Sequence, residues 1–395
     1  MRFVNRSVSK MKFSPIHLKS FLSIPFNGRG PGYSCMEILA NMAHHDLYPS
    51  LTVPYSYGPV SEGVKVTNTM KCQWGKLVYR YAPWASERAT EATFLHNISA
   101  NDHDVAYLWG ETTLDFSFAL KRLGVKVVRE KTNCGKALAK RILDDAYRRV
   151  DAVPQHGITD KAVVEEEIRL KLADAIYCPN AMVEASLREI GIPDSVILST
   201  SYGYSASRLK TDEKLLEPID GVTFVFVGTI CVRKGAHLIL DAWARSGIKG
   251  RLVLAGGIEP LIEKISASQL ARPDVVRLNY VKNVGALYNS SDVFVFPTLE
   301  EGGPQVTYEA AACGVPAIVS PMGAGRIIRP GKEGFVVDPY DADGWIDAMR
   351  EIAENESLRK RLAAGAYERS VEFTWPCVGA SRRDLLMRMM DKASS

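Results

Sequence analysis

Residues 300–316 read EEGGPQVTYEAAACGVP, with Glu301 and Glu309 eight positions apart and two glycines and a proline between them. Gly-Gly-Pro does not belong inside a helix, because glycine is entropically costly there and proline removes a backbone donor. The spacing therefore predicts one acid on a loop after the strand Asp292–Phe296 and the other on a helix over 305–313. Pro304 suits the first helical turn, and Gly314 with Pro316 ends the helix. Such a turn sets unsatisfied N–H groups and a positive dipole end beside the loop, an arrangement that takes anions. Gly302 and Gly303 would let a ligand approach the main chain, as would the amides of Gly303, Gln305 and Val306. Glu309 would lie about 8 Å along the helix from Pro304. Two carboxylates flanking an anion site suit an extended ligand, hydroxylated at both ends and anionic in the middle, as a nucleotide-diphosphate sugar is. A surface Glu301 and a Glu309 serving only the helix dipole fit the spacing equally well.

A second stretch, VGTICVRKGAHLILDAW at 227–243, runs from a strand end at Gly228 through a loop beginning at Thr229 to an apolar helix after Gly235. Arg233 and Lys234 stand where a parallel sheet binds ligands, and adjacent cations there could neutralise a diphosphate. The plain alternative is a solvent-facing pair. A third stretch, PFNGRGPGYS at 25–34, places Gly28, Gly30 and Gly32 after the first strand and before a helix starting near Cys35. Its spacing is G-x-G-x-G, and the segment YPSLTVPYSY at 48–57 has no acid, which disfavours a nicotinamide dinucleotide. The seven cysteines form no CxxC pair and the seven histidines no HxxxH spacing, so no metal site is expected. Those at 178, 231, 313 and 377 have apolar or small neighbours and are expected to be buried thiols.

These residues must be held by a sizeable α/β framework. The 395 residues suggest two domains. No apolar run nears the roughly 20 residues that span a bilayer. The first twenty residues carry five Lys or Arg and no acid, without the apolar core of a secretory signal, and read as a basic, ragged start of a cytoplasmic protein. Residues 1–150 hold 21 basic against 12 acidic side chains, although the chain's net charge is only +4. That imbalance suits anionic lipid or a phosphorylated substrate, or is merely a solvated surface; no nucleic-acid motif accompanies it. Continuous β-branched runs, among them Val105–Leu108, Ala175–Cys178, Thr223–Val227, Arg251–Ala255 and Val293–Phe296, alternate with helical patterns such as Ala236–Ala244, Leu261–Leu270 and Gly344–Glu354. This alternation predicts parallel sheets covered on both faces. The polar stretch between Tyr204 and Val222 predicts a boundary, with two domains meeting at a cleft.

In these residues the chain resembles the retaining family-4 glycosyltransferases, of group 1 type. The family's E-x7-E motif stands as Glu301 and Glu309, and its VG…KG loop as Val227-Gly228 through Lys234-Gly235. NYVKNVGALYNSSDVFVFPT, EGFVVDPYDADGW and EFTWPCVG resemble its later segments. The likeness is good over 173–389, and over 18–172 only by pattern. It implies the GT-B fold: two Rossmann-like parallel-sheet domains facing a cleft, with a C-terminal helix crossing back to the first. The expected bounds are 1–210 for an acceptor-binding domain, 211–375 for a nucleotide-sugar-binding domain and 376–395 for the returning helix.

The resemblance also implies roles. Glu309 would bind the ribose and Glu301 the transferred sugar. Arg233 and Lys234 would stabilise the departing diphosphate, and Gly228, Thr229, Gly303, Gln305 and Val306 would line the donor. Transfer would proceed with retention, without metal or cofactor, to a glycan or lipid-linked acceptor. Two positions depart from the pattern. Thr229 stands where family members often have Arg, and the loop REKTNCGK has no histidine where many carry one, leaving Lys131 or Asn133 as candidates. A catalytically degenerate nucleotide-sugar-binding partner and a GT-B phosphorylase or synthase are the rival readings; a glycoside hydrolase would not need the cations. The segment KALAKRIL at 136–143 would dock on an anionic bilayer, unless its apolar residues form a core face.

Overall fold

A computed structural model of the protein describes residues 15–101 and 103–394. The basic stretch 1–14 lies outside the described residues. Two compact units divide at Val128, not near the expected boundary at 210. In the first unit, β1 (Ile16–Leu22), β2 (Leu47–Val53), β3 (Lys65–Asn68), β4 (Asp104–Trp109) and β5 (Lys126–Glu130), which runs on into the second unit, stand in the order β3-β2-β1-β4-β5. β1 pairs in parallel with both β2 and β4. Every residue of β4 is buried, as a strand covered on both faces requires. One side of the core is a cluster of Phe21, Phe94, Leu108 and Phe116.

In the second unit, β6 (Ala175–Cys178) pairs in parallel with β7 (Ile197–Ser199), and the Lys131 amide beyond β5 donates to the Tyr177 carbonyl at 3.0 Å. A six-stranded sheet follows in the order β10-β9-β8-β11-β12-β13. Its strands are β8 (Val222–Val227), β9 (Gly250–Ala255), β10 (Val275–Leu278), β11 (Val293–Phe296), β12 (Ala317–Val319) and β13 (Gly334–Val336). Helices Ala236–Ser246 and Ala342–Glu354 bury Ile239, Leu240 and Trp243, and Trp345, Met349 and Ile352, at helical spacing. The chain order reverses between β8 and β11, so the turns leaving these two strands lie side by side.

The C-terminal helix, Trp375–Ser394, contacts Glu130 and Tyr177 within the second unit. Arg382, fully buried, donates to both carboxylate oxygens of Glu130 at 2.7 and 3.1 Å and to the Ser201 carbonyl at 2.9 Å. The Tyr177 hydroxyl donates to the Arg382 carbonyl at 2.6 Å. These contacts tie residues 130–201 to the end of the chain, which is why the compact second unit starts so early. No helix among the described residues is long and apolar enough to cross a membrane. Of the four cysteines expected inside, Cys178 and Cys231 are buried, Cys313 is half-buried and Cys377 is exposed.

Candidate active site

The turn after β8 and the loop after β11 interlock through their backbones. The Leu299 amide donates to the Arg233 carbonyl at 2.9 Å, and the Thr298 hydroxyl reaches the same carbonyl at 3.4 Å. Gly235, at φ 68°, opens the helix Ala236–Ser246, and a Cβ there would stand 2.1 Å from the Pro297 carbonyl oxygen. Only glycine permits that approach. Gly228 ends β8 at φ 136° with open space beside it, followed by exposed Thr229.

This interlocking brings the expected cations and acid together. The Lys234 ammonium contacts the Glu301 carboxylate, and Glu301 also accepts the Gly302 amide at 3.2 Å. Burial and the neighbouring Arg233 charge pull Lys234 down to about 7, with Glu300 opposing. Arg233 is partly exposed and donates through Nη1 to both the carbonyl and the carboxylate of Glu300, at 3.3 Å each.

Glu300 was not foreseen from the sequence. The residue is 1% exposed, and its carboxylate accepts from Asn133 Nδ2 at 3.1 Å and from the Cys134 amide at 3.3 Å, as well as from Arg233. Asn133, a candidate for the absent histidine, is thereby bound to the acid loop. The other candidate, Lys131, is buried in an ion pair with Glu166 at 2.8 Å. Gly302 and Gly303 answer the same crowding, since a Cβ at each would meet the Thr132 carbonyl oxygen at 1.7 Å and the Tyr202 ring at 2.2 Å. Their lack of side chains serves protein packing here, not only access for a ligand.

The helix carrying the second acid runs Gln305–Ala312, with Pro304 at its N-cap and Gly314 past its end at φ 69°. The Gln305 amide donates to the Gly303 carbonyl at 2.8 Å and its side chain to the Gly203 carbonyl at 3.4 Å, so that amide is engaged within the turn. The Val306 carbonyl accepts the Tyr288 hydroxyl at 3.1 Å. Glu309 lies one turn further on, apart from the Lys234–Glu301 pair. Burial pushes its carboxyl up to about 7, with Arg208 opposing. Arg326, also unforeseen, reaches the Glu184 carboxylate and the Thr200 and Cys178 carbonyls.

Of Gly28, Gly30 and Gly32, only Gly28 (φ 71°) lies in a turn before the helix. The helix begins at Gly30, not near Cys35, so Gly30 and Gly32 form its first turn. Gly32 is buried, and a Cβ there would stand 3.3 Å from the Phe26 ring, a packing role in place of the expected ligand loop. Among the described residues, the one grouping of three side chains spaced to hold a metal, His44, His45 and Asp46, lies on a turn of the first unit.

Residues 207–369 match the family model described as glycosyl transferases group 1. The D-inositol 3-phosphate glycosyltransferase of Xylanimonas cellulosilytica is 27% identical over 194 residues, 46% of this chain and 46% of that protein. The capsular polysaccharide biosynthesis glycosyltransferase CapM of Staphylococcus aureus is 26% identical over 224 residues, 53% and 56% of the two chains. The chain thus spans about half the length of the curated relatives it matches. Sucrose-phosphate synthase of Thermosynechococcus elongatus is similar in structure at a TM-score of 0.73 and 19% identity, over 97% of this chain and 100% of that one. HepE of Anabaena, in complex with UDP and glucose, gives 0.65 at 13% identity, over 94% and 100%. These likenesses establish the GT-B fold of two parallel-sheet α/β domains.

Proposed function

We propose that the protein is a glycosyltransferase. It moves a sugar from a nucleotide-diphosphate donor to a hydroxyl of a glycan or lipid-linked acceptor, with retention and without a metal, in building a surface polysaccharide or glycoconjugate at the cytoplasmic face of a membrane. The observation that carries this reading is the meeting of Arg233 with Glu300 and of Lys234 with Glu301 on the loop before the helix bearing Glu309. HepE, described with UDP-glucose, supports a nucleotide-sugar donor, and CapM supports polysaccharide synthesis.

Breaking the bond from the anomeric carbon to the diphosphate leaves negative charge on phosphate oxygens. Arg233 and Lys234 offset that charge where it develops, the electrostatic term that dominates such chemistry. Glu301, released from Lys234, accepts hydrogen bonds from the sugar, and Glu309 accepts from the ribose. The acceptor hydroxyl attacks from the face the diphosphate leaves, and a diphosphate oxygen takes its proton, so no protein nucleophile is required. Because Lys234 sits near 7 when the site is empty, donor charge raises it and binding takes up protons above that pH.

One observation favours a second reading, a nucleotide-sugar-binding partner without catalysis: the loop lacking the histidine has Lys131 committed to Glu166 and Asn133 to Glu300. Thermal shifts with UDP, GDP, ADP, CMP and dTDP, with and without EDTA, test the donor site. A selective shift by one diphosphate, indifferent to EDTA, is expected. No shift with any of them would refute the assignment. A shift without sugar release from any donor would leave the partner reading standing.

A further inference from the structure

The helix Cys72–Tyr81 in the first unit buries only Gly75. A Cβ at Gly75 would stand 2.5 Å from the Tyr55 ring, so the helix lies on its neighbour by backbone contact and leaves long side chains outward. Trp74, Leu77 and Tyr81, at i, i+3 and i+7, share one face and are 68%, 51% and 73% exposed. Trp84, on the next helix (Pro83–Asn97), is 64% exposed. Lys76 and Arg80, one turn apart, are also exposed and flank this stripe. Residues 71–88 carry four cations, Lys71, Lys76, Arg80 and Arg88, against the single acid Glu87.

A run of exposed aromatics this dense marks an interaction surface. Its composition favours a bilayer over a protein partner. Trp and Tyr with Lys and Arg is the mixture that settles at the lipid headgroup level, whereas lysine is depleted from protein interfaces. The helix Lys136–Arg149, where the sequence suggested docking, does not offer such a face. It buries Leu143, Ala146 and Tyr147, and pairs Lys140 with Asp144 at 2.9 Å and Arg141 with Glu189 at 2.7 Å.

We propose that residues 71–88 dock on an anionic lipid bilayer. Trp74, Leu77, Tyr81 and Trp84 enter the interface, and Lys76 and Arg80 meet lipid phosphates. This deepens the reading of a membrane-linked acceptor but is tested without catalysis. The full chain is sedimented with phosphatidylcholine vesicles, with and without phosphatidylglycerol, at low and high salt, while tryptophan emission is followed. Co-sedimentation with the anionic vesicles, weakened by salt, and a blue shift are expected. Trp74→Ala with Trp84→Ala should lower vesicle affinity about 10-fold or more. Lys76→Glu with Arg80→Glu should remove its salt-sensitive part. The nucleotide-induced thermal shift, which reads the second unit, should stay as in the wild type, and an unchanged circular dichroism spectrum and melting temperature of the free chain show the variants folded. Wild type remaining in the supernatant, undiminished binding by the tryptophan variant, or a patch-dependent dimer that ignores vesicles would each overturn the proposal. A missing nucleotide shift beside intact vesicle binding would instead count against the donor site alone.

Discussion

The first strand of each unit's sheet ends in a glycine turn that opens a helix, yet the two turns are built differently. After β1, the turn is braced by backbone: Phe26 and Tyr55 share a 3.0 Å bond, as do Tyr57 and Phe26, and the Arg29 side chain is exposed. After β8, the turn is also held by backbone, through the Leu299 amide on the Arg233 carbonyl, but ion pairs are added to it, Arg233 on Glu300 and Lys234 on Glu301. A turn held by main chain alone leaves its side chains free to differ with the ligand. One held by ion pairs as well has its side chains preset, and a ligand must displace a partner to bind. The second is the construction expected of a site that stabilises one recurring charged group, the diphosphate, while the first leaves room for variable chemistry.

The largest effect that would sharpen this contrast is at Lys234. Lys234→Ala should lower kcat/KM for the donor about 100-fold or more, and Arg29→Ala should leave donor affinity unchanged. Equal losses from both would break the comparison. Glu300→Gln keeps the shape but removes the charge facing Arg233, and should raise the donor KM about 10-fold, read in steady-state kinetics. A donor KM like the wild type would mean that Glu300 does not position Arg233. Smaller again are the glycines. Gly302→Ala drives a methyl into the Thr132 carbonyl and should cost on the order of 2 kcal/mol in denaturant melts. Gly30→Ala meets only its φ of 52°, with no atom within 4 Å, and should cost about 1 kcal/mol.

The subtlest test is the pH dependence of stability. Glu309 is raised from 4.5 to about 7, so its contribution is full below 4.5 and fades as pH rises through 7. Lys234 is lowered from 10.5 to about 7, so its contribution is full above 10.5 and fades as pH falls through 7. Melting temperatures should therefore flatten at acid pH in Glu309→Gln and at alkaline pH in Lys234→Met. Identical pH profiles in both variants and the wild type would contradict the burial of these charges.

Much of the second unit was legible in the sequence because its strands are unbroken apolar runs. Ala175–Cys178 and Val293–Phe296 coincide with β6 and β11, and Thr223–Val227 and Arg251–Ala255 fall within β8 and β9. β2 was missed because Pro49 interrupts it, although Pro49 stands opposite Leu18 of β1. β3 and β13 are only 4 and 3 residues long, too short for periodicity to show. Leu261–Leu270, read as one helix, is two, Pro260–Ile265 and Ala267–Leu270.

At the candidate site, spacing singled out Arg233, Lys234, Glu301 and Glu309 because strand-end turns announce themselves by glycine. Glu300 escaped because its partner Asn133 is 167 positions away, and no local pattern marks a buried acid in a loop. The doublet Glu300-Glu301 after an apolar Leu299 was the one available signal. Arg326 with Glu184 and Arg382 with Glu130 were hidden for the same reason, at separations of 142 and 252.

The most direct test of the central claim is release of nucleoside diphosphate from a panel of nucleotide sugars. It is measured with EDTA and a membrane extract as acceptor source, for wild type and Lys234→Ala. Release from donors of one base, unaffected by EDTA and lost in the variant, is the predicted result. Release that persists unchanged in Lys234→Ala, or none from any donor, would contradict the account.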